Sequence, residues 1–80
     1  MLRLKELRED KDLKQEDIAH ILNVTQVAYS YYESEKRLIS IYDLEKLADF
    51  YNTSIDYILY NTDERNSYKE SKIDKKDLVR

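Results

Sequence analysis

Every turn of this chain must be made without glycine, because its 80 residues contain none. Glycine is the residue that enters left-handed backbone without steric cost. In its absence Asn and Asp are the best candidates for such positions, since their short polar side chains tolerate that conformation. Asn23 and Asn52 stand where apolar stripes of helical spacing stop, and both fit as left-handed helix ends. The same absence removes any phosphate-cradling glycine loop.

Between these stops the apolar residues follow the 3.6-residue period. A first helix is expected over Leu2–Asp10, with Leu4 and Leu7 on one side and Leu13 just beyond. A second is expected over Gln15–Leu22, with Ile18, Ala19 and Leu22 on one stripe. Thr25 is a good N-cap for a third helix running to about Ser34. Val24, Tyr29 and Tyr32 should face inward there, and Ala28 lets the two helices approach. Ser40 to Asp43 reads as a capping-box-like start for a fourth helix carrying Ile41, Leu44, Leu47, Ala48 and Tyr51 inward. Ser54 caps a short fifth helix, with Ile55, Ile58 and Leu59 inward and Asp56 favourable in its first turn. No segment of any length alternates with period two, so the expected fold class is all-α.

From Asn61 the chain turns polar and highly charged, with only Tyr68, Ile73, Leu78 and Val79 apolar. The expected organisation is a helical domain over residues 1–60 and a charged tail over 61–80, disordered or with a sixth helix from near Ser71. One small domain of this length is only marginally stable alone, so self-association would help. There is no Cys, and His20 is the single histidine. Disulfides, thiolate chemistry and His-based metal clusters are therefore excluded, and no cofactor or small-molecule ligand is expected. No nucleophile–base pair suggests an enzyme. The apolar runs are too short to span a membrane and no signal peptide is visible, so a cytoplasmic location is expected.

Gln15 to Arg37 reads as two short helices joined by one tight turn, the second with small, amide and aromatic side chains outward. That is the layout of a helix-turn-helix, whose second helix lies in the major groove of DNA. The overall charge opposes this reading: the net is −3, and residues 1–60 hold 8 basic against 12 acidic residues. DNA binders usually present a basic surface, so the local pattern has to carry the argument.

Particular residues sharpen that pattern. They are Arg3-Leu-Lys-Glu-Leu-Arg8, Leu13-Lys-Gln15, Ile18-Ala19, Leu22-Asn-Val24-Thr25, the Tyr32-Glu33-x-x-Lys36-Arg37 ending, Leu44-x-Lys-Leu-Ala48 and Ser54-Ile-Asp-Tyr-Ile-Leu59. In this order and spacing the chain resembles the Cro / phage-repressor (Xre-type) helix-turn-helix family over residues 2–60. The resemblance implies a five-helix lambda-repressor-like domain that reads DNA with helix three. The family usually has Gly at positions 12, 23, 35 and 52, where this chain has Asp12, Asn23, Glu35 and Asn52. Glu35 puts a negative charge in a loop that, in the family, lies against the DNA backbone.

The resemblance implies base contacts from Gln26, Val27, Ser30 and Tyr31, with Tyr31 also placed to reach the sugar-phosphate backbone. A Gln amide pairs bidentately with adenine N6/N7, and an exposed Val suits a thymine methyl. An ordinary exposed Gln or Val is the plainer alternative. Phosphate contacts are expected from Lys14, Gln15, Thr25, Lys36 and Arg37, with Gln15 also bracing Gln26. Arg8 and Glu33 should form a structural ion pair, and His20 should be solvated. Tyr57 and Tyr60 are expected as an exposed aromatic pair at a two-fold contact, since this region builds the family's dimer. The implied partner is double-stranded DNA bound by a homodimer. The function expected is a sequence-specific transcriptional regulator, most simply a small repressor of phage or mobile-element type that occludes a pseudo-palindromic operator. The alternative is an acidic protein-interaction module, an antitoxin or anti-repressor, that reuses the fold.

Overall fold

The computed structural model describes residues 1–66, so the sixth helix expected near Ser71 lies outside the described residues. Five helices follow one another: α1 Leu4–Asp10, α2 Gln15–Leu22, α3 Gln26–Glu33, α4 Ile41–Phe50 and α5 Ile55–Ile58. No strand occurs among the described residues, and no helix is long and apolar enough to cross a membrane. α1 starts two residues later than its stripe suggested. The Arg3 backbone N–H donates to the Ile58 carbonyl at 2.8 Å, and Arg3 Nε donates to the Tyr57 carbonyl at 2.8 Å. The first residues are thus tied to the end of α5 and do not extend α1.

Local chemistry explains where the helices begin. Thr25 Oγ1 accepts from the Ala28 N–H at 3.1 Å, Ser40 Oγ from Asp43 at 3.1 Å, and Ser54 Oγ from Tyr57 at 3.0 Å. Each such cap is worth about 1 kcal/mol. Lys14 precedes α2 and has no oxygen to offer. Asp17 Oδ2 supplies the return half of a capping box, accepting from the Lys14 N–H at 2.8 Å.

All five helices end in the same way. Asp12, Asn23, Glu35, Asn52 and Tyr60 have φ of 57°, 58°, 62°, 54° and 63°. The next residue's N–H in each case bonds the carbonyl five residues back: Leu13 to Arg8, Val24 to Ala19, Lys36 to Tyr31, Thr53 to Ala48 and Asn61 to Asp56. This is the long bond of a Schellman ending, which satisfies helix-terminal carbonyls. Asn and Asp bear the conformation at low cost. Glu35 and Tyr60 have no such excuse. Glycine at 35 relieves about 1 kcal/mol of left-handed strain but gives back about half of it through a freer unfolded chain. Glu35→Gly is therefore expected to raise stability by about 0.5 kcal/mol. A urea titration that finds the variant less stable than the parent would refute this account of the turn.

Leu4, Leu7, Ile18, Ala19, Leu22, Tyr29, Leu44, Leu47, Ala48, Tyr51, Tyr57 and Ile58 form one core, with Val24, Tyr32, Ile39, Ile55 and Leu59 packed at its edge. Two expectations are corrected. Ile41 is 53% exposed, because the stripe of α4 centres on Leu44, Leu47 and Tyr51 and the first helical residue lies at its margin. Tyr57 is buried, because the chain before α1 crosses it. The start of the expected tail also folds back. Arg3 Nη2 pairs with Asp63 and Arg65 Nη1 with Asp10, at 3.2 and 3.3 Å, and Thr53 Oγ1 donates to the Arg65 carbonyl.

Candidate nucleic-acid interface

The candidate interface is built on α3, and one buried carboxylate sets its angle. Glu33 closes α3. Arg8 Nε donates to Glu33 Oε2 at 2.7 Å and Arg8 Nη2 to Oε1 at 3.2 Å. Gln15 Nε2 adds a third bond to Oε1 at 3.1 Å. Arg8 Nη1 donates in turn to the Leu13 carbonyl at 2.8 Å. One group thereby joins α1, the loop after it, the first residue of α2 and the last turn of α3. Burial disfavours the Glu33 anion, but hydrogen bonds from Arg8 and Gln15 outweigh it and hold the carboxyl below its ordinary range. The Tyr29 hydroxyl is buried beside this carboxylate, outside hydrogen-bonding geometry, and burial together with the nearby negative charge pushes its pKa up.

One Gln15 amide N–H is therefore engaged by Glu33, and no hydrogen bond joins Gln15 to Gln26 as expected; the amide's second N–H is left to meet a phosphate. The start of α2 is also less inviting to phosphate than its dipole alone suggests. Glu16 and Asp17 occupy its first turn, and both are exposed. Lys14 is exposed just before them.

α3 presents its candidate readers on one side. At 100° per residue, Gln26, Ser30, Val27 and Tyr31 span an arc of roughly 140°. Gln26 is exposed, Val27 is 61% and Tyr31 37% exposed, and Ser30 is half-buried. Tyr29 points the opposite way, wholly buried, and meets Tyr32 edge-on at 6.5 Å. Thr25 uses its oxygen as the cap, which leaves its hydroxyl hydrogen to donate outward.

The loop after α3 brings Arg37 back to the same side, with Lys36 exposed just before it. Their N–H groups bond the Tyr31 carbonyl at 2.9 and 3.3 Å. The Arg37 guanidinium lies 5.2 Å from the centroid of the Tyr31 ring. Tyr31 is thus a platform for Arg37, a role the sequence did not signal. A guanidinium parked over an aromatic face keeps its donors pointed at solvent and loses less freedom on meeting phosphate. Glu35 sits in the same loop, exposed, with a carboxylate oxygen 3.1 Å from the Met1 amino group.

Tyr57 and Tyr60 are engaged within the chain. The Arg3 guanidinium lies 4.1 Å from the Tyr57 ring centroid and 3.9 Å from that of Tyr60. The only hint in the sequence was spacing, the two rings being three positions apart. His20 is exposed in the last turn of α2.

A family model described as helix-turn-helix matches residues 4–58. The chain is 33% identical over 76 residues to an uncharacterized HTH-type transcriptional regulator of Bacillus subtilis (strain 168), YobD, covering 95% of this chain. It spans 64% of that relative's length. No solved structure gives a significant match.

Proposed function

The chain belongs to the helix-turn-helix family, and from that premise we propose that it is a sequence-specific DNA-binding transcriptional regulator. In this reading residues 1–60 are the DNA-binding domain. A homodimer occludes a pseudo-palindromic operator, as a small repressor of phage or mobile-element type does. The observation that carries the reading is the row Gln26, Val27, Ser30 and Tyr31 on the outer side of α3, with Arg37 over Tyr31 and Lys36 exposed beside it in the loop. The Arg8–Glu33–Gln15 cluster makes the helix a rigid presenter of those groups. The α3 side chains read base edges, while Lys14, Gln15, Thr25, Lys36 and Arg37 meet phosphates and set register.

Selection of bound duplexes from a random pool gives the preferred sequence, and Gln26→Ala tests the assignment. Discrimination at one base pair per half-site should relax by about 1–3 kcal/mol while other positions keep their preference. An unchanged preference would remove Gln26 from base readout. The acidic surface favours a second reading, a protein-interaction module, because Glu35 stands exposed beside the basic pair. Failure to enrich any duplex at low salt would favour it.

A further inference from the structure

Charge divides unevenly along this chain. Residues 1–66 hold 9 basic and 14 acidic residues, a net of −5, while residues 67–80 hold 5 basic and 3 acidic, a net of +2. An acidic domain that meets DNA repels it at long range, and the compensating charge lies just beyond that domain. Its spacing is ordered. At 100° per residue, Lys69, Lys72, Lys76 and Arg80 fall within an arc of roughly 80°, and Glu70, Asp74 and Asp77 within a separate arc of roughly 60°. Lys72, Lys76 and Arg80 follow one another at i,i+4, where like charges repel. A row of cations spaced in this way is relieved by a polyanion.

The structure shows where that row is sent. After α5 the chain runs alongside α1. Asp63 meets Arg3 just before α1 begins, and Arg65 meets Asp10, its last residue, at 3.2 and 3.3 Å. Thr53 Oγ1 fixes the same point by donating to the Arg65 carbonyl. The course is therefore from the start of α1 towards its end. Beyond that end stands Lys14, a candidate phosphate contact four residues after Asp10 and at most about 14 Å away along the chain. The acids nearest this course have partners of their own: Glu6 pairs with Arg3, Asp10 with Arg65, and Asp17 accepts from the Lys14 N–H.

We propose that residues 67–80 are a second DNA-contacting element, an arm whose row of Lys69, Lys72, Lys76 and Arg80 meets phosphates of the duplex flanking the site that α3 reads. The proposal rests on the DNA-binding reading and adds to it a contact outside the helix-turn-helix. Fourteen residues span up to about 45 Å, enough to follow the duplex past the site. Duplex DNA offers one negative charge per about 1.7 Å of its axis, a denser and more regular row than the acids of the domain. The arm supplies affinity and salt dependence, and it leaves the choice of sequence to α3.

The test uses the full chain and duplexes recovered by selection, either trimmed to the selected site or extended by about one helical turn on both sides. On trimmed duplexes only the contacts of the domain act. The parent chain should bind the extended duplexes at least about tenfold more tightly at 50 mM salt and lose most of that gain at 200 mM. Lys69→Gln/Lys72→Gln/Lys76→Gln should abolish the gain, with site preference, affinity for trimmed duplexes and the melting curve unchanged. Glu70→Gln/Asp74→Asn/Asp77→Asn should keep it. A parent chain that gains nothing from the flanks would overturn the proposal. So would a lysine variant that gains as much as the parent, and if that variant also melts earlier, its lysines lie on the domain's own acids. A parent chain that enriches no duplex at all would strike the DNA-binding reading itself, which keeps the two failures apart.

Discussion

Glu33→Ala is expected to lower the unfolding free energy by about 3 kcal/mol, the low end of the cost of removing one member of a buried ion pair. The Arg8 and Glu33 side chains are 12% and 6% exposed, so the deserted guanidinium recovers little water. The Gln15 amide and the link to α1 lose their acceptor as well. A domain of this size has roughly 4–12 kcal/mol in total, so the variant should melt far earlier and lose DNA binding with its fold. The paired replacement Arg8→Met/Glu33→Leu should be more stable than either single change, since buried ion pairs are often matched by well-packed apolar side chains. Chemical denaturation of the four proteins decides this. A loss below about 1 kcal/mol for Glu33→Ala would mean that the cluster does not set the helix angles.

The same carboxylate makes stability depend on pH. Its folded-state pKa lies below its ordinary value, near 4.3 for an unperturbed glutamate. The unfolded chain therefore takes up the proton first as pH falls. The stabilisation is complete above that ordinary value and is lost as pH drops through the lower folded value. Glu33→Gln should flatten this part of the curve of stability against pH. An unchanged acid limb in the variant would assign the effect to other carboxylates.

DNA affinity is expected to fall about a thousandfold between 50 and 200 mM salt. In the proposed dimer, Lys14, Lys36 and Arg37 would give six cationic phosphate contacts, the low end of the range for which such losses are typical. Lys36→Ala should flatten the dependence of log affinity on log salt by about one contact per chain and weaken all duplexes alike. Arg37→Lys keeps the charge but loses the planar group that lies over Tyr31. It should retain the salt slope and bind more weakly. A parent chain whose binding hardly responds to salt would contradict the phosphate assignments. The net charge of −3 makes this the sharper test, because long-range attraction from the whole molecule is absent.

Most of the scaffold was legible because its signals are local. Thr25, Ser40 and Ser54 cap the helices they precede, and Asn23 and Asn52 take left-handed backbone at the ends of theirs. These outcomes depend on side-chain oxygens and backbone groups within a few residues. The apolar period likewise exposes the core of α2 and the outer side of α3. Ile41 was misjudged because periodicity locates a stripe but not its margin at a helix end.

What the residues alone determined, then, is five short helices, their caps and an outward row running from Gln26 to Tyr31. Tertiary structure decided which groups meet across long stretches of chain. Glu33 collects Arg8 and Gln15, 25 and 18 residues away. Arg3 reaches the Tyr57 carbonyl across 54 residues and lies against the rings of Tyr57, which is buried, and Tyr60, which stays 43% exposed. Glu35 and Tyr60 adopt left-handed backbone that neither residue favours by itself. Their helices must stop there to let the next element pack, and the core provides the free energy that overrides the local preference.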